Sequence, residues 1–189
     1  METALNIAIG IGLSAACGFR VFVPLLMMSI ASLSGQLPLS QGFAWIGTYP
    51  ALITFGTATI VEIVAYFVPW LDHLLDTVAS PAAVVAGTIA TASVVTDISP
   101  FLRWTLAIIA GGGIAGIVQG STVMLRAKSS VMTGGLGNPI VSTVELIGAI
   151  ITALLALVLP VLCIILIGAL ILFVLRKFGH LVFGGKRIS

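Results

Sequence analysis

Apolar residues run along this chain in long blocks, separated by short polar stretches. A helix that crosses a bilayer needs about 20 mostly apolar residues, and several blocks reach that length. The first covers residues 4–33. It is too long for one untilted helix and carries Gly18, Arg20 and Pro24, so the pattern predicts a kink or break near its middle. QLPLSQGFAWIGTYP follows as a loop, with Trp45 and Tyr49 suited to a membrane–water interface. Further spans are expected at 50–68, 81–95 and 106–125, and as a pair within 139–174 divided at Pro160. The block at 81–95 is short for a span unless it begins earlier, at Leu74 and Leu75, or is tilted. PWLDHLLD reads as an interfacial turn with a short helix, TDISPFLRW as a loop with Trp104 at an interface, and RAKSSVMTGGLGNP as the most polar loop.

Composition sharpens this picture. Hydrophobic residues make up 59% of the chain and charged residues 7%, where a soluble domain carries about a quarter charged. So little charge cannot cover a water-exposed surface, so most of the surface must face lipid. The expected fold is all-α: a polytopic transmembrane helix bundle of about six spans, forming one domain over residues 1–189. No soluble catalytic domain fits in what remains. Cys17 and Cys163 sit inside apolar blocks as small hydrophobes, with neither a disulfide framework nor zinc spacing. METALNIAIGIG has no basic leader and reads as the start of the first span.

Lys and Arg in short loops mark the cytoplasmic side. With six spans, Arg126, Lys128, Arg176, Lys177, Lys186 and Arg187 share one side and Arg103 alone takes the other. That places both termini in the cytoplasm, across a bacterial inner membrane. The halves 1–98 and 99–189 are faintly alike: GIGLSAACGFR precedes VEIV, and GGGIAGIVQG precedes VELI. Three spans per half would make an inverted repeat, a layout of many transporters. Chance likeness of Gly-rich segments is the plainer alternative.

Charges inside the apolar blocks carry the candidate chemistry. A central arginine costs at least about 2.5 kcal/mol on insertion scales, so Arg20 is expected to face a polar interior, as an anion contact or as one half of an ion pair. Glu62 and Glu145 are its natural partners, and intramembrane carboxylates that exchange a proton are the chemistry of a proton-coupled carrier. Gln119, with Ser121 and Thr122, adds polarity to a span rich in glycine (Gly111, Gly112, Gly113, Gly116, Gly120), where small residues permit close helix approach. Asp72, His73 and Asp76 form a compact group that is either a weak divalent-metal candidate, a gate at the cytoplasmic mouth, or the wet face of an interfacial helix. Arg126, Lys128 and Asn138 flank TGGLGNP, which is either an anion-binding turn or a positive-inside loop and helix start. His180 and the basic tail read as lipid-headgroup contacts.

In GLSAACGFRVFVPLL, PWLDHLLD and GGLGNPIVSTVE the chain resembles an uncharacterised bacterial membrane family, the domain of unknown function 4126. The resemblance covers most of the chain. It implies a multi-span inner-membrane protein and supplies no activity. It also implies an acidic residue after the glutamate of VSTVE, where this chain has Leu146, so a two-carboxylate role there is in doubt.

The residues favour a small-solute or ion transporter or channel using Arg20, Glu62, Glu145, Gln119 and Asn138, with Asp72, His73, Asp76, Arg126 and Lys128 at its cytoplasmic mouth. Six short helices enclose little volume, which points to a homo-oligomer in contact with membrane lipids. The alternatives are a scaffold or accessory subunit and, third, an intramembrane enzyme acting on lipid or through a metal. No cofactor is expected, and the lack of a basic soluble surface excludes nucleic acid.

Overall fold

The computed structural model describes residues 2–68 and 71–183, with the side chains of 71–74, 174–175 and 177–183 outside that description. Among the described residues every regular element is helical. They are α1 (Glu2–Phe19), α2 (Phe22–Leu33), a 3-10 turn (Gln41–Gly47), α3 (Tyr49–Tyr66), α4 (Leu71–Val94), α5 (Pro100–Leu106), α6 (Gly113–Thr133), α7 (Asn138–Val158) and α8 (Pro160–Phe183). A π-helical segment, Ala107–Gly112, joins α5 to α6, so that Pro100–Thr133 runs as one 34-residue helical stretch. Among the described residues, five stretches are long and apolar enough to cross a membrane: Glu2–Phe19, Tyr49–Tyr66, Leu75–Val94, Pro100–Thr133 and Asn138–Val158.

Two boundaries differ from the sequence pattern. LDHLLD is the opening of α4 and not a separate interfacial helix, because the helix continues through Pro81 to Val94. RAKSSVMT is helical, the end of α6, and Gly134 then stops that helix in the left-handed conformation, with φ of 62°. Pro100 starts α5, with the Ser99 hydroxyl accepting from Leu102 N. The breaks at Arg20 and at Pro160 fall where the pattern put them.

The first apolar block is a hairpin, not a kinked rod. Asn6 on α1 bonds Thr96 just after α4, Ser14 lies against Gly87 and Thr91 of α4, and Gly18 lies against Ala115 and Val118 of α6. α1 therefore descends into the bundle antiparallel to α4. α2 climbs back out: Phe22 is level with Glu62, Leu26 faces Gly56 and Ser32 abuts Gly47. Beyond it, Ser40 N donates to Ser93 O, and Arg103 donates to the Ser40 hydroxyl. The hairpin enters and leaves at one end of the bundle, and its tip, Arg20–Val21, is buried inside. α3, α4, α5–α6, α7 and α8 then alternate in direction. The start of α1 and the far end of α8 thus lie at opposite ends, whereas the charge pattern had placed both termini together. Lys128 and Arg176 keep the shared basic end, and Trp45, Tyr49 and Trp104 gather, exposed, at the other.

The packing is that of a bundle built for lipid. Large apolar side chains such as Ile53, Ile60, Ile109, Ile147 and Ile151 point outward, while Ala16, Ala83, Ala90, Ala115, Ala153 and both cysteines fill the interior. Small residues let the backbones meet. A Cβ on Gly12 would lie 2.6 Å from the Ala156 Cβ, and one on Gly87 2.6 Å from the Ala115 Cβ. Gly113 and Gly120 of the glycine-rich span meet nothing within 4 Å, so only part of that stripe is a contact face.

Two outcomes are expected. Gly12→Ala should cost about 1–3 kcal/mol through overpacking, and Gly120→Ala should be neutral or gain up to about 1 kcal/mol, both read from thermal unfolding in detergent. Cysteines placed at Glu2 and at Lys128 should react with an impermeant maleimide from opposite sides of sealed vesicles; labelling from the same side would refute the hairpin.

Candidate functional site

Three helices present polar side chains to the interior at helical spacing: Thr59, Glu62 and Tyr66 on α3, Gln119, Thr122 and Arg126 on α6, and Asn138, Ser142 and Glu145 on α7. Positions three and four or seven apart share one face of a helix, so each set forms a stripe. Asp76 on α4 and Arg20 at the hairpin tip complete the assembly, and every one of these residues is buried.

The tip creates the first requirement. Where α1 stops and α2 starts, backbone N–H groups lose their helical partners, and at membrane depth they must find others within the protein. Glu62 supplies them: its Oε1 accepts from Val21 N at 2.8 Å and its Oε2 from Phe22 N at 3.1 Å. A carboxylate at the N-terminus of α2 also complements the helix dipole. Glu62 is therefore bound to the backbone beside Arg20, with no direct ion pair between the two among the described contacts.

Arg20 and Arg126 are the largest fully buried side chains, 1% and 2% exposed. Arg126 Nη1 donates to Asp76 Oδ1 at 2.7 Å, and its Nη2 donates to Glu145 Oε2. The same Glu145 oxygen lies 3.7 Å from Arg20 Nη2, which donates to Ser142 O at 2.9 Å. One carboxylate oxygen is thus shared between two guanidiniums. The guanidinium carbons of Arg20 and Arg126 lie 4.0 and 4.1 Å from the centroid of the Tyr66 ring, within cation–π range of it. The Tyr66 hydroxyl donates to Asp76 Oδ1 at 3.2 Å. Arg20 Nε and Nη1, Arg126 Nε and Glu145 Oε1 are buried and have no hydrogen-bond partner.

Among the described residues, two clefts reach this assembly. One of about 290 Å³, between α4 and α6, is lined by Asp76, Thr77, Ser80, Val123 and Ala127. The other, about 650 Å³ between α2, α3 and α4, is mostly apolar and has Glu62 and Tyr66 among its lining residues.

The structure brings together Arg20, Glu62, Glu145, Asp76 and Arg126. Asn138 is buried and its amide bonds the Ser130 hydroxyl at 2.9 Å; Gln119 is buried on the Arg126 face of α6. Lys128 is exposed. Asp76 and Arg126, expected at a wet mouth, are core residues, because α4 carries the interfacial turn on into a long helix and α6 runs on through the polar loop. The side chains of Asp72 and His73, like His180, Lys186 and Arg187, lie outside the described residues; among those described, no cluster of three His, Cys, Asp or Glu side chains could hold a metal. Tyr66 and Ser142 were not anticipated. Their signal was the polar stripe on each helix.

Removing one partner of a buried pair leaves an uncompensated charge. Arg126→Ala should lower stability by about 3–5 kcal/mol, measured by denaturant or thermal unfolding in detergent, whereas exposed Lys128→Ala should stay within about 0.5 kcal/mol.

The family described as Domain of unknown function (DUF4126) matches residues 7–179 of the chain. No curated protein matches the chain, and no solved structure does.

Proposed function

The chain therefore belongs to that family of unknown function, and from its geometry we propose that it moves a small solute or ion across the membrane, with Arg20, Arg126 and Glu145 as the polar station on the route. The observation that carries this is Arg20. It sits at the tip of a hairpin that turns back inside the bundle, and its Nε and Nη1 have no partner. A purely structural arginine would have its donors met, since unmet buried donors are costly. Broken helices whose ends converge on a buried site are a common way to bind solutes within a bilayer. The clefts at Asp76 and at Glu62 supply approaches to the same core.

In this reading the protein lies in a bacterial cytoplasmic membrane with its basic end inward, as a homo-oligomer. An inverted repeat is not required: α1 lies along α4, whereas α6, its counterpart in the second half, barely touches α8. The rival reading is a scaffold whose charges staple the bundle. The close approach of Gly87 to Ala115 and Gly111 favours it, because such seams leave little room to slide.

Solute and proton flux in proteoliposomes decides between them. The transport reading expects flux with the native protein and at least a tenfold loss in folded Glu62→Gln, which weakens the hold on the hairpin tip. No flux from folded native protein across a broad panel of ions and metabolites would favour the scaffold.

A further inference from the structure

The polar core contains a carboxylate where a ligand could stand. Glu145 Oε2 is held by Arg126 Nη2 and lies 3.7 Å from Arg20 Nη2, too far for a direct hydrogen bond to the second arginine. Its other oxygen, Oε1, has no partner. On the two guanidiniums beside this carboxylate, Arg20 Nε and Nη1 and Arg126 Nε are buried donors with no hydrogen-bond partner. The site has more guanidinium N–H groups than Glu145 and Asp76 use, and guanidinium forks match carboxylates in a bidentate way. We propose that the ligand is a small carboxylate that takes the place of the Glu145 carboxylate between Arg20 and Arg126, with one proton taken up by Glu145 as the ligand arrives. This deepens the transport reading and rests on it for passage across the membrane, though not for binding.

Three features make the exchange physical. Tyr66 fixes the receptor: both guanidiniums lie against its ring, and its hydroxyl bonds Asp76, which bonds Arg126. The arginines therefore keep their places when Glu145 leaves. The α4–α6 cleft, about 290 Å³, reaches Asp76 and offers a way in for a molecule of a few heavy atoms. Charge sets the coupling. Two guanidiniums already face three carboxylates among the described residues: Glu62, Asp76 and Glu145, with Tyr66 the other titratable group against them. A further anion alone would add uncompensated negative charge to a low-dielectric site, which is expensive. An anion with a proton leaves the net charge unchanged. The proton comes from solvent and forms the O–H bond on Glu145, while the ligand stays ionised and takes over the contacts to the arginines. Glu62 is a poorer partner for that proton, since both its oxygens already accept from the backbone.

The test uses trifluoroacetate, which stays ionised at all working pH values and reports by 19F NMR, with full-length protein in an uncharged detergent. The native protein should bind one trifluoroacetate and take up about one proton per anion in weak buffer. Folded Glu145→Gln, a neutral stand-in for the protonated state, should bind at least tenfold more tightly with no proton uptake. Arg20→Gln should lose binding at least tenfold. No binding by the folded native protein, or binding without proton uptake, overturns the proposal, and so does a Glu145→Gln variant that binds no more tightly or still takes up a proton. Because the native protein alone supplies the proton count, misfolding of a variant does not rescue the idea. Binding with proton uptake but no flux in proteoliposomes would refute transport and leave this site standing; flux without such binding would do the reverse.

Discussion

Arg20 and Arg126 carry positive charge into a space where lipid tails and apolar side chains offer no acceptors, and the helices around them are held in place by supplying some. Glu145 and Ser142 bring α7, Asp76 brings α4, and Tyr66 brings α3. In water such pairs are weak. Away from water, losing one partner is severe because the remaining charge has no alternative. The core therefore acts as a register mark: a helix that slid by one turn would leave a guanidinium without its carboxylate.

Elsewhere the bundle is held by shape. The interior along α1, α4 and α6 is rich in alanine, glycine, serine and threonine, with Leu13, Val94 and Val118 among the larger residues between them, and most of the bulky residues face outward. Burial of apolar surface cannot drive this arrangement in lipid, so close backbone approach and short hydroxyl contacts such as Ser14 to Gly87 take its place. The two kinds of adhesion occupy different levels. The small-residue seam knits the aromatic end, and the charged core knits the basic end.

Much of this was legible in the residues. Helical class, the breaks at Arg20 and Pro160, and the involvement of Arg20, Glu62 and Glu145 follow from block length and from the cost of charge in lipid. The family resemblance held over residues 7–179. The hairpin did not show, because a kinked rod and a reversal give the same hydropathy; only the partner of Val21 N–H separates them, and Glu62 is 41 positions away. Asp76 reads as part of an interfacial turn with a short helix and Arg126 as part of a polar loop, because polar residues near a block's edge resemble interfacial ones. Apolar periodicity is silent in helices that are greasy all round, yet the polar residues alone keep it: Gln119, Thr122 and Arg126 fall on one face, as do Asn138, Ser142 and Glu145.

The hairpin bears on how the protein is made. Arg20 leaves the ribosome well before its acceptor Ser142, which lies 122 positions later, with Glu145 just beyond. Until α7 has been synthesised, an arginine at the end of a short helical pair has no counter-charge within the bilayer. The nascent hairpin must wait near the surface, or beside the insertion machinery, while α3 to α7 are threaded. It would settle last. A segment translated before its partners is then the keystone of the finished arch, and truncated chains that lack α7 should be clients for membrane quality control, since each would present a stranded charge.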